Sequence, residues 1–180
     1  MKWIVYIATA TIFLLLLIPS LNQSLVRRQY GIDWIVASGK LGNALRLQYP
    51  ENTLIAAPHI GALGYYSKLP MLDMLGLTDK HIANSTPNPE VYREYPQKDV
   101  GHERFDIEYA LSRKPRIFVP INGFTSVPAT HISEVPVRFA MEHVLINRMN
   151  SHPEYQLTNI PVENNFYWIV LEKKHIRNPL

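Results

Sequence analysis

The longest apolar segment of the chain lies at its N-terminus. Residues 3–18 carry no charge, and the apolar character continues to Leu21. At 1.5 Å per residue, a helix of about 19 residues spans roughly 28 Å, close to the ~30 Å hydrocarbon core of a bilayer. A cleaved secretory signal is the alternative, but the small residues that cleavage prefers are scarce after this segment. The pattern therefore predicts a transmembrane anchor at 1–21, followed by a juxtamembrane linker at 22–31.

The region after the linker alternates between helical and strand-like spacing of apolar residues. Residues 32–49 have apolar positions at helical spacing, and Pro50 ends the helix. The apolar run 53–57 predicts a buried strand, and a second run, 71–75, follows a short helix with a glycine-containing turn. Parallel pairing and a right-handed crossover are the defaults for such a β-α-β unit.

The remaining elements continue this alternation. They are a long loop at 84–100, a helix at 105–113, a strand at 116–121, a loop at 122–136, a helix at 137–149 and two strands at 155–160 and 166–171. The last two strands are joined by a turn, which predicts an antiparallel hairpin. The expected fold class is therefore α/β: a small three-layer domain over residues 32–180, with a mainly parallel sheet extended by the C-terminal hairpin and preceded by one transmembrane helix.

The composition excludes several classes of protein. The 180 residues include 18 Lys+Arg and 15 Asp+Glu, and the net charge is +3. Because the basic residues occur as scattered pairs, they form no stripe for nucleic acid, and we expect no nucleic-acid partner. The chain has no cysteine, which excludes a disulfide scaffold and a thiolate zinc site and is compatible with the bacterial periplasm. No phosphate-binding loop, full dinucleotide fingerprint or nucleophile motif is present, so we expect no cofactor and assign no catalytic residue.

Six side chains are candidates for ligand binding, because they follow predicted parallel strands at the sheet edge where α/β folds bind ligands. They are Tyr65, Asp73, Asp79, His81, His102 and Glu103. The alternative is structural: Asp73 and Asp79 fix a glycine turn by accepting hydrogen bonds from backbone amides, and Glu103 begins the next helix. The spacing of these acidic and histidine residues, together with His59 and Asp106, fits no compact metal motif, so we expect no metal site.

Two glycines stand at the ends of predicted strands. A side chain at Gly61 or Gly76 would obstruct a close backbone approach or a positive φ angle. We therefore expect both glycines to be conformational requirements of the fold.

A long string joins these motifs: GALGYYSKLPMLDMLGLTDKHIA at 61–83, then Gly-His-Glu at 101–103 and YALSRKP at 109–115. It resembles the extracytoplasmic C-terminal domain of bacterial membrane glycosyltransferases of the GT-C class, including mycobacterial terminal arabinofuranosyltransferase-like proteins and related membrane proteins. The resemblance covers roughly residues 32–121. It implies a single-pass protein of the inner membrane with its soluble domain in the periplasm.

The resemblance also implies a role in cell-envelope glycan synthesis. Enzymes of that class carry many transmembrane helices and an essential acidic residue in the first external loop, whereas this sequence has one apolar segment and no such loop. We therefore expect an accessory or acceptor-recognition domain that is at most part of a membrane glycosyltransferase. Its expected partners are the inner membrane, a multi-spanning transferase subunit, and a glycan or polyprenyl-phosphate sugar.

Four other interpretations of the sequence remain open. The domain could be a stand-alone module that binds an envelope glycan or another protein, or a fragment of a split transferase. It could instead supply acidic residues such as Asp73 and Glu103 to glycosyl transfer in complex with a multi-helix partner. The fourth interpretation is a gene remnant without function.

We predict that the chain is integral to the membrane with its C-terminus outside the cytoplasm, because the run 3–18 is too apolar to remain in water. A reporter enzyme that is active only after export, fused behind Leu180, should be active. Alkaline extraction should leave the full-length chain in the membrane fraction. Release of a shortened protein would reject the anchor.

Overall fold

A computed structural model of the protein describes residues 33–87, 89–95, 103–163 and 165–174. The chain divides after Val36 into two units; residues 33–36 of the first unit are described and are helical. The predicted anchor and linker, at 1–21 and 22–31, lie outside the described residues. Within the described ranges, no helix combines the length and apolar character needed to cross a bilayer. The second unit, from Ala37 onward, carries the sheet.

Three short strands form the parallel half of the sheet. Strand β1 (Ile55–Ala57) pairs in parallel with β2 (Met71–Asp73) on one side and with β3 (Ile117–Phe118) on the other. All three residues of β1 are buried, as expected for a central parallel strand covered on both faces. Helix α2 (Ile60–Ser67) connects β1 to β2, which confirms the predicted β-α-β unit.

The other half of the sheet is antiparallel and centres on β6 (Phe166–Lys173). One edge of β6 pairs with β5 (Tyr155–Glu163), and this pairing confirms the predicted hairpin. Its other edge pairs with β3 at one end and with β4 (Phe124–Thr125) at the other. The sheet is therefore mixed, and the prediction of a mainly parallel sheet describes only the half formed by β1, β2 and β3.

Helices lie on both faces of this sheet. The remaining helices are α1 (33–48), α3 (Lys80–Ala83), α4 (Pro89–Glu94), α5 (Ile107–Ser112) and α6 (Ala140–Met149). Neighbouring side chains of β2 point to opposite faces. Met71 faces α2, since a Cβ added at Gly64 would lie 3.2 Å from its Cγ. Leu72 belongs to the core cluster that α5 and α6 share with the sheet.

Two segments predicted as loops contain regular structure. Helix α4 occupies the middle of the predicted loop at 84–100, of which residues 96–100 lie outside the described residues. Pro89 does not interrupt this helix, because it occupies the first helical position, where a missing amide hydrogen costs nothing. The predicted loop at 122–136 contains β4 and a single 3-10 turn, both too short to show a periodic pattern.

The two glycines highlighted by the sequence have different roles. Gly76 has a φ of +78°, and a Cβ there would lie 2.6 Å from the backbone nitrogen of Ala83, so the predicted requirement for glycine is confirmed at this position. Gly61 is the second residue of α2, and a Cβ there would meet nothing within 4 Å. The predicted requirement is therefore wrong for Gly61, which lies inside the helix rather than in a strained turn.

This contrast provides a matched pair of variants. We expect Gly76→Ala to lower the free energy of unfolding by about 2 kcal/mol or more, because the methyl group combines a positive φ with a backbone clash. Gly61→Ala should leave stability unchanged or raise it by up to about 1 kcal/mol, because alanine favours the helix. Urea denaturation of the full-length protein measures both changes. Equal losses in the two variants would contradict this assignment.

Candidate functional site

The turn after β2 is built around the carboxylate of Asp73, which is 1% exposed. Its Oδ1 accepts hydrogen bonds from the amides of Leu75 (3.0 Å) and Gly76 (3.2 Å). Its Oδ2 accepts from the amide (2.6 Å) and the hydroxyl (3.2 Å) of Thr78. These bonds satisfy a carboxylate that burial would otherwise leave unfavourable, so Asp73 fixes the turn that leads into α3.

Asp79 starts α3 and joins it to α5. Its Oδ1 accepts a hydrogen bond from the amide of Ile82 (3.0 Å), the usual arrangement of an N-cap aspartate. Its Oδ2 accepts from the hydroxyl of Tyr109 on α5 (3.1 Å). Burial, followed by the hydrogen bond to Asp79 and its charge, raises the pKa of Tyr109 above its ordinary value.

His81, unlike Asp73, has a side chain that is open to solvent. Its side chain is about half exposed, and its Nε2 lies 2.9 Å from Oδ2 of Asp106, the N-cap residue of α5. The imidazole stacks on the ring of Tyr109, with centroids 3.9 Å apart. Burial alone would raise the pKa of Asp106, but hydrogen bonds from His81 and from the amide of Tyr109 outweigh it and lower the pKa.

The His81–Asp106 pair lines a cleft of about 640 Å³ between α3, α4, α5 and α6, referred to here as the α3–α6 cleft. Its polar lining consists of His81, Asn84, Ser85, Thr86, Asp106, Glu108 and Arg148, and its apolar lining of Val91, Phe105, Ile107 and Val144. Nε of Arg148 lies 2.8 Å from Oε1 of Glu108, and both side chains are more than half exposed. The cleft therefore presents one carboxylate held by an imidazole and another beside a guanidinium.

Helix α4 forms one wall of the cleft and is held by two tyrosines. The hydroxyl of Tyr92 donates to the carbonyl of Glu103 (2.6 Å), and burial and the charge of Glu103 raise the pKa of Tyr92 to about 12. Tyr95 stacks on His143 of α6 with centroids 4.4 Å apart. The hydroxyl of Tyr95 also accepts a hydrogen bond from Asn147 (3.1 Å). These contacts therefore hold the middle and the C-terminal end of α4 beside the cleft.

The structure brings only part of the predicted site together. Asp73, Asp79 and His81 follow one another through the turn and α3, and the guanidinium of Arg104 reaches the carbonyl of Ala83, which places Glu103 nearby. The side chain of Glu103 lines a neighbouring groove on the α4 side rather than the α3–α6 cleft. His102 lies outside the described residues.

Tyr65 is not part of this group. It lies on α2, is 66% exposed, and contacts Tyr66 edge-on and the ammonium of Lys68, which lies 4.1 Å from the ring centroid. It does not line the α3–α6 cleft. Tyr65 therefore belongs to a different surface from His81.

Sequence reasoning considered Asp106 only among the metal-ligand residue types, and it missed both Asp106 and Arg148 as cleft residues. Asp106 precedes a helix at a capping position, which is a recognisable signal for a cap, but its contact with His81 spans 25 residues of sequence. Arg148 lies four residues after Val144 on α6, so the two side chains share a helix face, but nothing local shows that this face borders a cleft.

His59, considered with the metal-ligand residue types, is half-buried as a residue, with its imidazole enclosed by the domain. Its imidazole stacks on Trp168, with centroids 5.3 Å apart, and both ring nitrogens are closed off from solvent. Burial lowers the pKa of His59 from 6.5 to about 3, so the ring is neutral at neutral pH. Among the residues that the structure describes, no group of three or more His, Asp or Glu side chains could hold a metal ion.

These features define a mixed α/β domain with a ligand-sized cleft beside the carboxyl end of β2. A family model described as "Domain of unknown function (DUF8728)" matches residues 23–170, most of the chain. The chain belongs to this family. No curated protein and no solved structure matches it.

The buried His59 has a consequence for stability. Because its folded pKa is below 6.5, the unfolded chain takes up the proton first as the pH falls. The stability that neutral His59 provides is complete above about pH 6.5 and is lost as the pH falls toward 3, by at most about 1.4 kcal/mol per pH unit. We expect His59→Phe, which can still stack on Trp168, to flatten the dependence of unfolding free energy on pH between 7 and 5.

The exposed His131 provides the control for this experiment. His131→Phe should keep the slope of the wild-type protein. Equal slopes in wild type and His59→Phe would mean that folded His59 accepts a proton normally, against the prediction.

Proposed function

We propose that this protein is a membrane-anchored periplasmic domain that recognises the acceptor glycan for a GT-C-like glycosyltransferase of cell-envelope synthesis, and that it is not catalytic alone. The α3–α6 cleft binds a sugar unit of the acceptor. The observation that carries the proposal is the composition of this cleft, in which hydrogen-bond donors and acceptors surround an imidazole stacked on an aromatic ring.

The chemistry of the cleft suits a sugar better than an apolar ligand. Each sugar hydroxyl both donates and accepts hydrogen bonds, so it requires acceptors such as Asp106 and donors such as Arg148 and Asn84. The apolar side chains Phe105 and Val144 provide contacts for the C–H faces of the ring. A volume of about 640 Å³ is within the range of small-molecule sites and exceeds the size of a single sugar.

The resemblance to the transferase domains supports a glycan site in the same region of the molecule. The string at 61–83 contains the turn that Asp73 and Gly76 shape and the cap that Asp79 forms. The turn and the cap together determine where His81 lies in the cleft. The residues that carry the resemblance therefore build one wall of the proposed glycan site.

The inner membrane and a multi-spanning transferase subunit remain the proposed partners, and a polyprenyl-phosphate sugar remains the alternative ligand. The family match begins at residue 23, two residues after the proposed anchor ends, which is consistent with a domain that follows a separate segment. A direct acid role for Asp73 is disfavoured, because its oxygens are buried and already accept four hydrogen bonds.

The cleft provides a direct test of ligand binding. We expect saturation-transfer NMR with a panel of methyl glycosides, pentofuranosides included, to detect binding to the full-length protein in mild detergent. His81→Gln should weaken that binding about tenfold, which is the loss expected when one hydrogen bond to the ligand is removed. Co-purification from membranes should recover a multi-spanning protein.

His152 is a matched control for His81. Its Nδ1 lies 2.9 Å from Oε1 of Glu154, so it forms the same type of pair away from the cleft. His152→Gln should bind glycosides like the wild type. Absence of glycoside binding, or equal binding by His81→Gln and wild type, would refute the α3–α6 cleft as the glycan site.

A further inference from the structure

A second cleft opens at the opposite edge of the parallel strands. It encloses about 550 Å³ and is lined by residues that precede β1 and β3, together with Glu172 near the end of β6. Two cations, Lys114 and Arg116, and one carboxylate, Glu172, line it, which leaves a net charge of +1 among these three side chains. We call it the Lys114 cleft.

The single carboxylate in the cleft is already neutralised by its neighbours. Oε1 of Glu172 accepts from Nη2 of Arg116 (2.8 Å), and Oε2 accepts from the hydroxyl of Thr158 (3.0 Å). Glu172 also accepts from the hydroxyl of Tyr49, whose pKa is raised by burial and then by this neighbouring charge. The negative charge of Glu172 is therefore already paired with neighbouring side chains. The charge that remains available to a ligand in the cleft is positive.

Lys114 occupies a backbone position that glycine or asparagine usually takes. It follows the C-cap of α5, has a φ of +52°, and donates its amide hydrogen to the carbonyl of Leu111 (2.9 Å). A lysine in this conformation is strained by about 1 kcal/mol relative to glycine. Within the described part of the chain, its ammonium has no ion-pair partner. Lys114 lines the cleft, and strained backbone positions are concentrated at binding sites.

We propose that the Lys114 cleft binds the oxyanion of a sugar-sized molecule, either a phosphate ester or a carboxylate. The ammonium of Lys114 and the free donors of the Arg116 guanidinium contact the oxyanion. Gln48 and Asn52 at the rim contact neutral polar groups of the same ligand. This site is separate from the α3–α6 cleft and does not depend on the proposed glycan-recognition function.

The position of Lys114 has a competing structural explanation. A cation after the last turn of a helix is attracted to the exposed carbonyl groups there. That explanation predicts that removing the charge lowers stability and changes no ligand binding. Asparagine tolerates the same positive φ, so Lys114→Asn removes the charge without adding strain and separates the two explanations.

The test is isothermal titration calorimetry of the full-length protein in mild detergent with three probes: glucose 1-phosphate, glucuronate and glucose. We expect at least one of the two anionic probes to bind, and glucose to bind at least tenfold more weakly in this cleft. Binding of the phosphate ester alone identifies a phosphate site, and binding of glucuronate alone identifies a carboxylate site. Raising the salt concentration should weaken the anion binding.

Lys114→Asn should reduce anion affinity about tenfold, the loss expected for one charge-assisted hydrogen bond. Arg113→Asn removes the same charge one residue earlier, outside the cleft lining, and should bind like wild type. In the opposite direction, Gln48→Arg should strengthen anion binding, whereas Leu47→Arg, whose side chain points to solvent, should not.

No anion binding by the wild type would overturn the proposal. So would equal losses in Lys114→Asn and Arg113→Asn, because the effect would then reflect overall charge. A lower melting temperature of Lys114→Asn with unchanged affinity would assign Lys114 to the helix end alone. Because the α3–α6 cleft is itself proposed to bind sugars, only the part of the binding that Lys114→Asn weakens is assigned to the Lys114 cleft, and that part should be unchanged in His81→Gln.

Discussion

A carboxylate removed from water must find hydrogen-bond donors for its oxygens, and this requirement organises the carboxyl edge of the parallel strands. Asp73 after β2 and Glu142 on α6 are both buried, and each accepts four hydrogen bonds. Asp73 closes the turn into α3. Glu142 joins Arg138 and Phe139, the two residues that precede α6, to Asn122 in the connection after β3. Two of the elements around the α3–α6 cleft, the turn into α3 and the start of α6, are therefore fixed by buried carboxylates.

Much of the fold could be predicted because hydrophobic spacing marks elements that are buried along their length. The runs at 53–57, 71–75 and 166–171 each became strands, since parallel and central strands bury both faces. Strand β4 could not be found in this way, because two half-buried residues carry no period and their pairing with β6 is set by tertiary contacts. The error at Gly61 has a similar cause: the sequence does not show where the strand ends and the helix begins.

Only those site residues whose contacts lie close in sequence could be predicted. Asp73 and Asp79 were weighed as turn-fixing residues, and their bonds to nearby amides have that form. The side chain that pairs with His81 is Asp106, which lies 25 positions away, so this contact depends on how α3 and α5 pack. Tyr65 followed the right strand but lies on the helix that packs against the other face. The sequence alone indicates which edge of the sheet carries the candidate site, but tertiary packing determines which side chains lie together there.

Helix α5 links the two clefts of the domain. Asp106 at its beginning lines the α3–α6 cleft, and Lys114 just after its end lines the second cleft. The helix has six residues, about 9 Å, and it buries Ile107, Ala110 and Leu111 in the core. A close-packed core deforms little, so a ligand at one end of α5 can influence the other end only by shifting the whole helix. Such a shift would also have to move Tyr109 relative to Asp79, so we expect the two proposed sites to bind their ligands independently.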